Sequence, residues 1–126
     1  MSDQLIERAR ARAEYAYAPF SHFRVGVVVV ADDGRIFEGA NVENSAYGSS
    51  MCAEATAIGN AVSNGVRKID TVAVSCIDSD TDTGYPCGNC RQLMVEFGVE
   101  RLLVDGPDGV VEHTLDDVIP FGFKLD

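Results

Sequence analysis

The sequence predicts an α/β layered domain built on a mixed sheet, and three observations carry that expectation. β-Branched apolar runs alternate with stretches whose small and apolar residues recur every three or four positions. The run over residues 24–31, with Val-Gly-Val-Val-Val-Val inside it, is too uniformly apolar for a strand with one wet face, so both of its faces should be buried. Asp32-Asp33-Gly34 reads as a tight hairpin turn, which makes the first two strands antiparallel within a strand–helix alternation that otherwise favours parallel pairing.

Taken in order, a first helix is expected over residues 4–17, capped by Asp3, with Leu5, Ile6, Ala9 and Ala13 on one face. Ala18-Pro19-Phe20-Ser21 breaks it. Strands over 24–31 and 35–40 follow. Residues 41–51 are polar and aromatic without a period, a loop long enough to suggest a functional role. A second helix spans 52–64 on the spacing of Ala53, Ala57 and Ala61, and Gly65 closes it. A strand over 69–77, an acidic loop over 78–85 and a third helix over 87–97, ended by Gly98, come next. Two short strands, 101–104 and 110–113, flank a turn at 106–109. Thr114 caps a last helical turn, which Pro120 stops before the Phe121-Gly122-Phe123 tail.

A length of 126 residues points to one domain, residues 1–126, able to bury roughly two-thirds of its unfolded surface. No apolar run approaches the ~18 residues of a membrane span. Met1-Ser2-Asp3-Gln4 lacks the basic and apolar regions of a secretory leader, so a cytoplasmic protein with no membrane partner is expected. Ten basic against 20 acidic residues give a net charge of −10, which repels a polyphosphate backbone and speaks against a polynucleotide partner. The acidity reads as a solvated surface. Four cysteines would suit two disulfides in a secreted domain, but in a reducing compartment metal ligation is the better account.

The chemistry concentrates in Cys52-Ala53-Glu54 and Pro86-Cys87-Gly88-Asn89-Cys90-Arg91, each opening an expected helix. At a helix start the unpaired N–H groups and the dipole favour an anion, so these thiols should ionise readily and bind zinc. A spacing of three puts Cys87 and Cys90 on one helix face. No fourth ligand is in view, so the ion keeps a position open for water. Glu54 beside it can take a proton from that water and pass it to a substrate. A lone Cys-x-x-Cys is also found in redox motifs and structural zinc knuckles, and a closed structural site would need a fourth ligand. His22 and His113 read as surface or satisfied polar residues, and Cys76 as a small apolar group within its strand. Taken together, Cys-x-Glu and Pro-Cys-x-x-Cys match the zinc deaminase signature.

A wider set of motifs carries a resemblance. Tyr17-Ala18-Pro19-Phe20-Ser21-His22-Phe23-Arg24-Val25-Gly26, Asn41-Val42-Glu43-Asn44, Ala46-Tyr47-Gly48, Cys52-Ala53-Glu54, Pro86-Cys87-Gly88-Asn89-Cys90-Arg91-Gln92 and Pro120-Phe121-Gly122-Phe123 resemble, nearly end to end, the small homotetrameric cytidine deaminases. The resemblance implies a three-layer α-β-α sandwich with a mixed five-stranded sheet, one zinc per subunit, and hydrolysis of cytidine or deoxycytidine to the uridine and ammonia. It implies Cys52, Cys87 and Cys90 as zinc ligands and Glu54 as the proton shuttle. Phe23 would pack on the pyrimidine, Asn41 and Glu43 would bind the ribose hydroxyl, and Ala53 would complete the substrate contacts. Ala46, Tyr47 and Phe123 would reach into a neighbouring subunit's site.

Many members of that family carry Arg after Cys-Ala-Glu, donating to the zinc thiolates, where this chain has Ala55. Helix N–H groups, or another donor such as Arg91, are expected to compensate. Two other readings are kept. One is a deaminase of another aminated nucleoside, of blasticidin-S type or bearing a modified base. The other is a non-catalytic zinc module, against which the Glu54 carboxylate argues.

Overall fold

The structure, a computed structural model, describes residues 1–79 and 84–125, so half of the acidic loop expected over 78–85 lies outside the described residues. Val25–Ala31 (β1) runs antiparallel to Ile36–Ala40 (β2) on one side and to Ile69–Cys76 (β3) on the other. β3 is parallel to Arg101–Gly106 (β4), which forms a hairpin with Gly109–Thr114 (β5). The order β2-β1-β3-β4-β5 is the mixed five-stranded sheet that was expected.

Strand alternation divides the core in two. Val27, Val29 and Ala31 of β1 pack with Ala57 and Ile58 of helix Ala53–Ser63 (α2) and with Met94 of helix Gly88–Glu96 (α3). Val28 points the other way, into a cluster with Leu5, Ile6 and Ala9 of helix Ser2–Ala13 (α1). Helices therefore cover both faces of the sheet, and consecutive valines suit a strand that has no wet side. Two glycines let the layers close. A methyl group on Gly26 would fall inside the carbonyl oxygen of Ala9, and one on Gly39 would fall on the backbone of Ala57. α1 and α2 thus press main chain to main chain on opposite faces of the β1–β2 hairpin.

The bounds of α1, β4 and β5 differ most from expectation. α1 begins at Ser2 with Met1 as N-cap, so Asp3 is not the cap but an acidic residue of the first turn, where the dipole favours it. The same helix stops at Ala13 rather than at residue 17, because the Tyr17 main chain is taken up elsewhere. Its N–H donates to Asn41 O (2.9 Å) and its carbonyl accepts from Glu43 N (2.8 Å). β4 and β5 are longer than expected because Gly106 pairs with Gly109 across the turn. Thr114 caps a short helix, Leu115–Val118 (α4), in a capping box with Asp117. Among the described residues no helix is long and apolar enough to cross a membrane.

The glycine contact yields a direct test. Gly26→Ala should cost at least about 3 kcal/mol, since the clash is with backbone that cannot rotate away. Denaturant unfolding measures it, and a loss under about 1 kcal/mol would mean that α1 does not sit against β1 this closely.

Candidate metal centre and substrate cleft

Two helix starts meet at one end of the sheet. Cys52 is the N-cap of α2 and Cys87 the N-cap of α3, so both lie one position ahead of their helices, while Cys90 is in the first turn of α3. Their Sγ atoms all lie within 4.8 Å of one another. An ion ~2.3 Å from three tetrahedrally disposed sulfurs would set them ~3.8 Å apart. The donor set therefore fits a zinc ion, which these residues would hold.

The free N–H groups at the start of α3 act on one of these thiols. For Cys87, burial opposes ionisation, but the N–H groups of Cys90 and Asn89 and the neighbouring thiols outweigh it and hold this thiol below its usual range. Burial pushes Cys52 and Cys90 up. Cys76 is not part of the sulfur cluster, and burial raises it to about 12, as suits a strand residue that stays a neutral thiol. Arg91 does not serve the thiolates with its bonded donors. Its Nε donates to Pro86 O (2.8 Å) and its Nη1 to Val118 O (2.6 Å). Of the two sources of compensation expected for the missing Arg, the helix N–H groups are the one the geometry supplies. Beside the sulfurs, Ala55 and Glu96 border a hollow of about 360 Å³.

A cleft of about 420 Å³ opens in front of the sulfurs. Phe23, Asn41, Glu43, Ala53 and Glu54 all line it together with Cys52 and Cys87, so residues from four separate stretches of sequence come together as expected. Glu54 is 5% exposed, and that burial raises its pKa against the lowering effect of its own backbone N–H. Glu43 is shifted the other way. The hydroxyl of Ser21 donates to its Oε2, and the N–H groups of Ser21 and Phe20 donate to its Oε1 at 3.1 and 3.0 Å, so the carboxylate stays ionised. Asn41 bridges strand and loop: its Oδ1 accepts from Val25 N (2.8 Å) and its Nδ2 donates to Phe23 O (2.9 Å).

Tyr47, Ala46 and Phe123 are not in this cleft. Tyr47 is 77% exposed and meets Phe20 edge to face at 6.1 Å, over a second hollow that also touches Glu43. Phe123 is 65% exposed, its carbonyl accepting from Gln92 Nε2. Neither histidine approaches the sulfurs. His22 borders a hollow with Arg24 and Asp78, and the His113 ring meets Tyr85. Sequence reasoning missed Ser21, Cys76 and Tyr85 as lining residues. Ser21 lies within the Tyr17–Gly26 motif and Tyr85 adjoins Pro86, which is the available signal, whereas Cys76 arrives through strand register alone.

Comparison with known proteins agrees with this geometry. Residues 1–105 match the family model described as "Cytidine and deoxycytidylate deaminase zinc-binding region". The chain is 46% identical over 126 residues to the cytidine deaminase of Sporosarcina psychrophila, covering 97% of this chain and 90% of that protein. It is 40% identical over 124 residues to the cytidine deaminase of Mycobacterium tuberculosis, covering 98% and 90%. A crystal structure of cytidine deaminase from Burkholderia pseudomallei superposes with a TM-score of 0.84 at 40% identity, over 95% of this chain and 97% of that one.

Metal analysis of the purified protein should find close to one zinc per chain. Cys87→Ala should keep less than about a tenth of that. Full metal content in the variant would remove Cys87 from the ligand set.

Proposed function

The chain belongs to the cytidine and deoxycytidylate deaminase family, and from that premise we propose that it hydrolyses cytidine and deoxycytidine to the corresponding uridine and ammonia, acting as one domain. The observation that carries the reading is a buried carboxylate, Glu54, in the cleft lined by Cys52 and Cys87.

Cys52, Cys87 and Cys90 would hold the zinc, which when bound would supply Lewis acidity that brings the ionisation of water toward neutral pH. Glu54 does the proton work. It takes a proton from the attacking water as oxygen adds to C4 of the ring, and delivers it to the ring nitrogen. It then takes the second proton from the hydroxyl now on C4 and delivers it to the amine, which leaves as ammonia as the C4–N bond breaks and the C4 carbonyl forms. Burial suits the group to this, because a carboxyl raised above its ordinary range holds a proton long enough to return it. Phe23 packs on the pyrimidine, and Ala53 lies beside it. Asn41 spends one amide hydrogen and one lone pair on the backbone, leaving the other donor for a ribose hydroxyl. Glu43, ionised and already held by three donors, offers its remaining acceptor capacity to the same hydroxyl without having to be ordered first.

An ultraviolet assay on cytidine, deoxycytidine and free cytosine is the test. Both nucleosides should be deaminated, and Glu54→Gln should lose at least about 10³ in kcat while keeping its zinc. Near wild-type turnover by that variant would end the shuttle role. Free cytosine as the best substrate would take the ribose away from Asn41 and Glu43.

The reading extends to assembly and location. Tyr47, Phe121 and Phe123 leave aromatic surface uncovered, with Phe121 102% exposed. Apolar patches of this kind mark interfaces, and a homotetramer in which Ala46, Tyr47 and Phe123 complete a neighbour's cleft accounts for them. Thiolate ligands belong in a reducing compartment, which supports the cytoplasm. Light scattering should give about four times the chain mass. Phe123→Ala should lower kcat/KM by about tenfold or more with zinc retained. A fully active monomer would refute the shared site.

A further inference from the structure

Cys87 hangs from a short segment whose other contacts lead away from the cleft. Tyr85, two residues ahead of the ligand, lines the cleft and also packs, as Leu115 and Val118 of α4 do, against the core cluster that includes Met94 and Val104. Its hydroxyl lies 2.8 Å from Nε2 of His113 on β5, and the two rings stand 5.3 Å apart at 57°. The other ring nitrogen of His113, Nδ1, faces Asp117 Oδ2 at 3.8 Å, and the same carboxylate oxygen accepts from Thr114 N (2.9 Å) in the capping box of α4. A carboxylate on the Nδ1 side favours the tautomer with its proton there, which leaves Nε2 to accept from the tyrosine hydroxyl. Arg91, from the far side of Cys87, reaches the same unit through Val118 O and holds Pro86 O as well. The main chain that presents Cys87 is thus fastened on both sides to β5 and α4.

We infer that Tyr85 and His113 are positioning residues for the deamination: the bond between phenol and imidazole holds the backbone of Pro86 and Cys87 at a fixed depth behind the cleft and so sets where the metal stands relative to Glu54. This rests on the deaminase reading above. An edge strand with mostly exposed side chains thereby acquires a role in the chemistry. A shift of a fraction of an ångström in Cys87 changes the distance over which a proton moves, and this is felt in the transition state more than in substrate binding.

The test compares Tyr85→Phe, His113→Leu, the double variant and His113→Gln, which restores an acceptor. For each, kcat and KM for cytidine, the rate of zinc transfer to a chromophoric chelator, and the thermal midpoint are measured. Each single loss should lower kcat about tenfold with KM moving less than about twofold, and should speed zinc transfer several-fold, the scale one hydrogen bond commands. The double variant should be no worse than either single, and His113→Gln should recover most of the loss. Wild-type kcat and zinc transfer in Tyr85→Phe would overturn the inference. So would multiplicative effects in the double variant, or a lowered midpoint with zinc transfer unchanged. If the wild-type protein deaminates no nucleoside, the functional reading fails, and zinc transfer across the four variants still decides whether the tether holds the ligand.

Discussion

At the start of α3 the N–H groups of Asn89 and Cys90 bear on the sulfur of Cys87, which lies beside those of Cys90 and of Cys52 at the start of α2, and this meeting of two helix ends constrains the rest of the molecule. Because β3 and β4 are parallel, the chain must cross over between them, and α3 starts beyond the C-terminal end of β3. α2 begins at the same end because β2, antiparallel to β1 as β3 is, also finishes there, with Ala40 and Ser75 both paired to Gly26. The loop between β2 and α2 stays at that end, bridging Val42 to Met51 and Tyr17 to Val42 on the way. Gly39 then lets α2 lie directly on β2. A helix held one side-chain layer farther out would carry Cys52 away from its partners.

The cleft in front of the sulfurs holds two carboxylates whose surroundings drive them apart. Glu43 is surrounded by donors and stays ionised, while Glu54 is buried and its proton is favoured. One is equipped to accept hydrogen bonds without changing state, the other to change state repeatedly. The donors around Glu43 come from Phe20 and Ser21, and those neighbours lead directly to Phe23, whose carbonyl is held by Asn41. Residues assigned to ribose are therefore also the struts that fix the aromatic wall. Substrate would meet a surface already ordered, and the entropic cost of ordering was met when the chain folded.

Much of this was legible because it is local. The uniform valine run of β1, the hairpin turn and the periodic alanines of α2 each announce one element, and the structure contains all of them. The cysteines announced themselves by spacing and by their places at helix starts. What escaped depends on contacts between distant positions. Nothing in the sequence near Tyr17 reveals that its backbone will pair with residues 41 and 43, so the helical spacing overstates the length of α1. Tyr85 and His113 are 28 positions apart, and neither carries a local pattern. Arg91 looked like a thiolate donor because it is one residue from Cys90, yet its side chain reaches over to Val118. Helical proximity in sequence does not fix where a long, flexible side chain ends.

Ala55 ties these strands together. Three thiolates on a divalent ion leave a net charge of −1, and a negative centre is a poorer Lewis acid. A guanidinium donating to sulfur would relieve this by roughly 1.5–3 kcal/mol, the range for hydrogen bonds with a charged partner. Helix-end N–H groups and dipoles contribute about 0.3–1 kcal/mol each, rising toward 2 when partly buried. Alanine at position 55 therefore leaves the N–H groups at the start of α3 to do what a guanidinium would otherwise share. Their contribution falls off within one turn and depends on direction, so it is effective only while the N–H groups of Asn89 and Cys90 keep their aim at the Cys87 sulfur. Precision in the first turn of α3 then matters more in this chain than in one with arginine to spare. The two fastenings of that turn to β5 and α4, through Tyr85 and Arg91, are where this precision comes from.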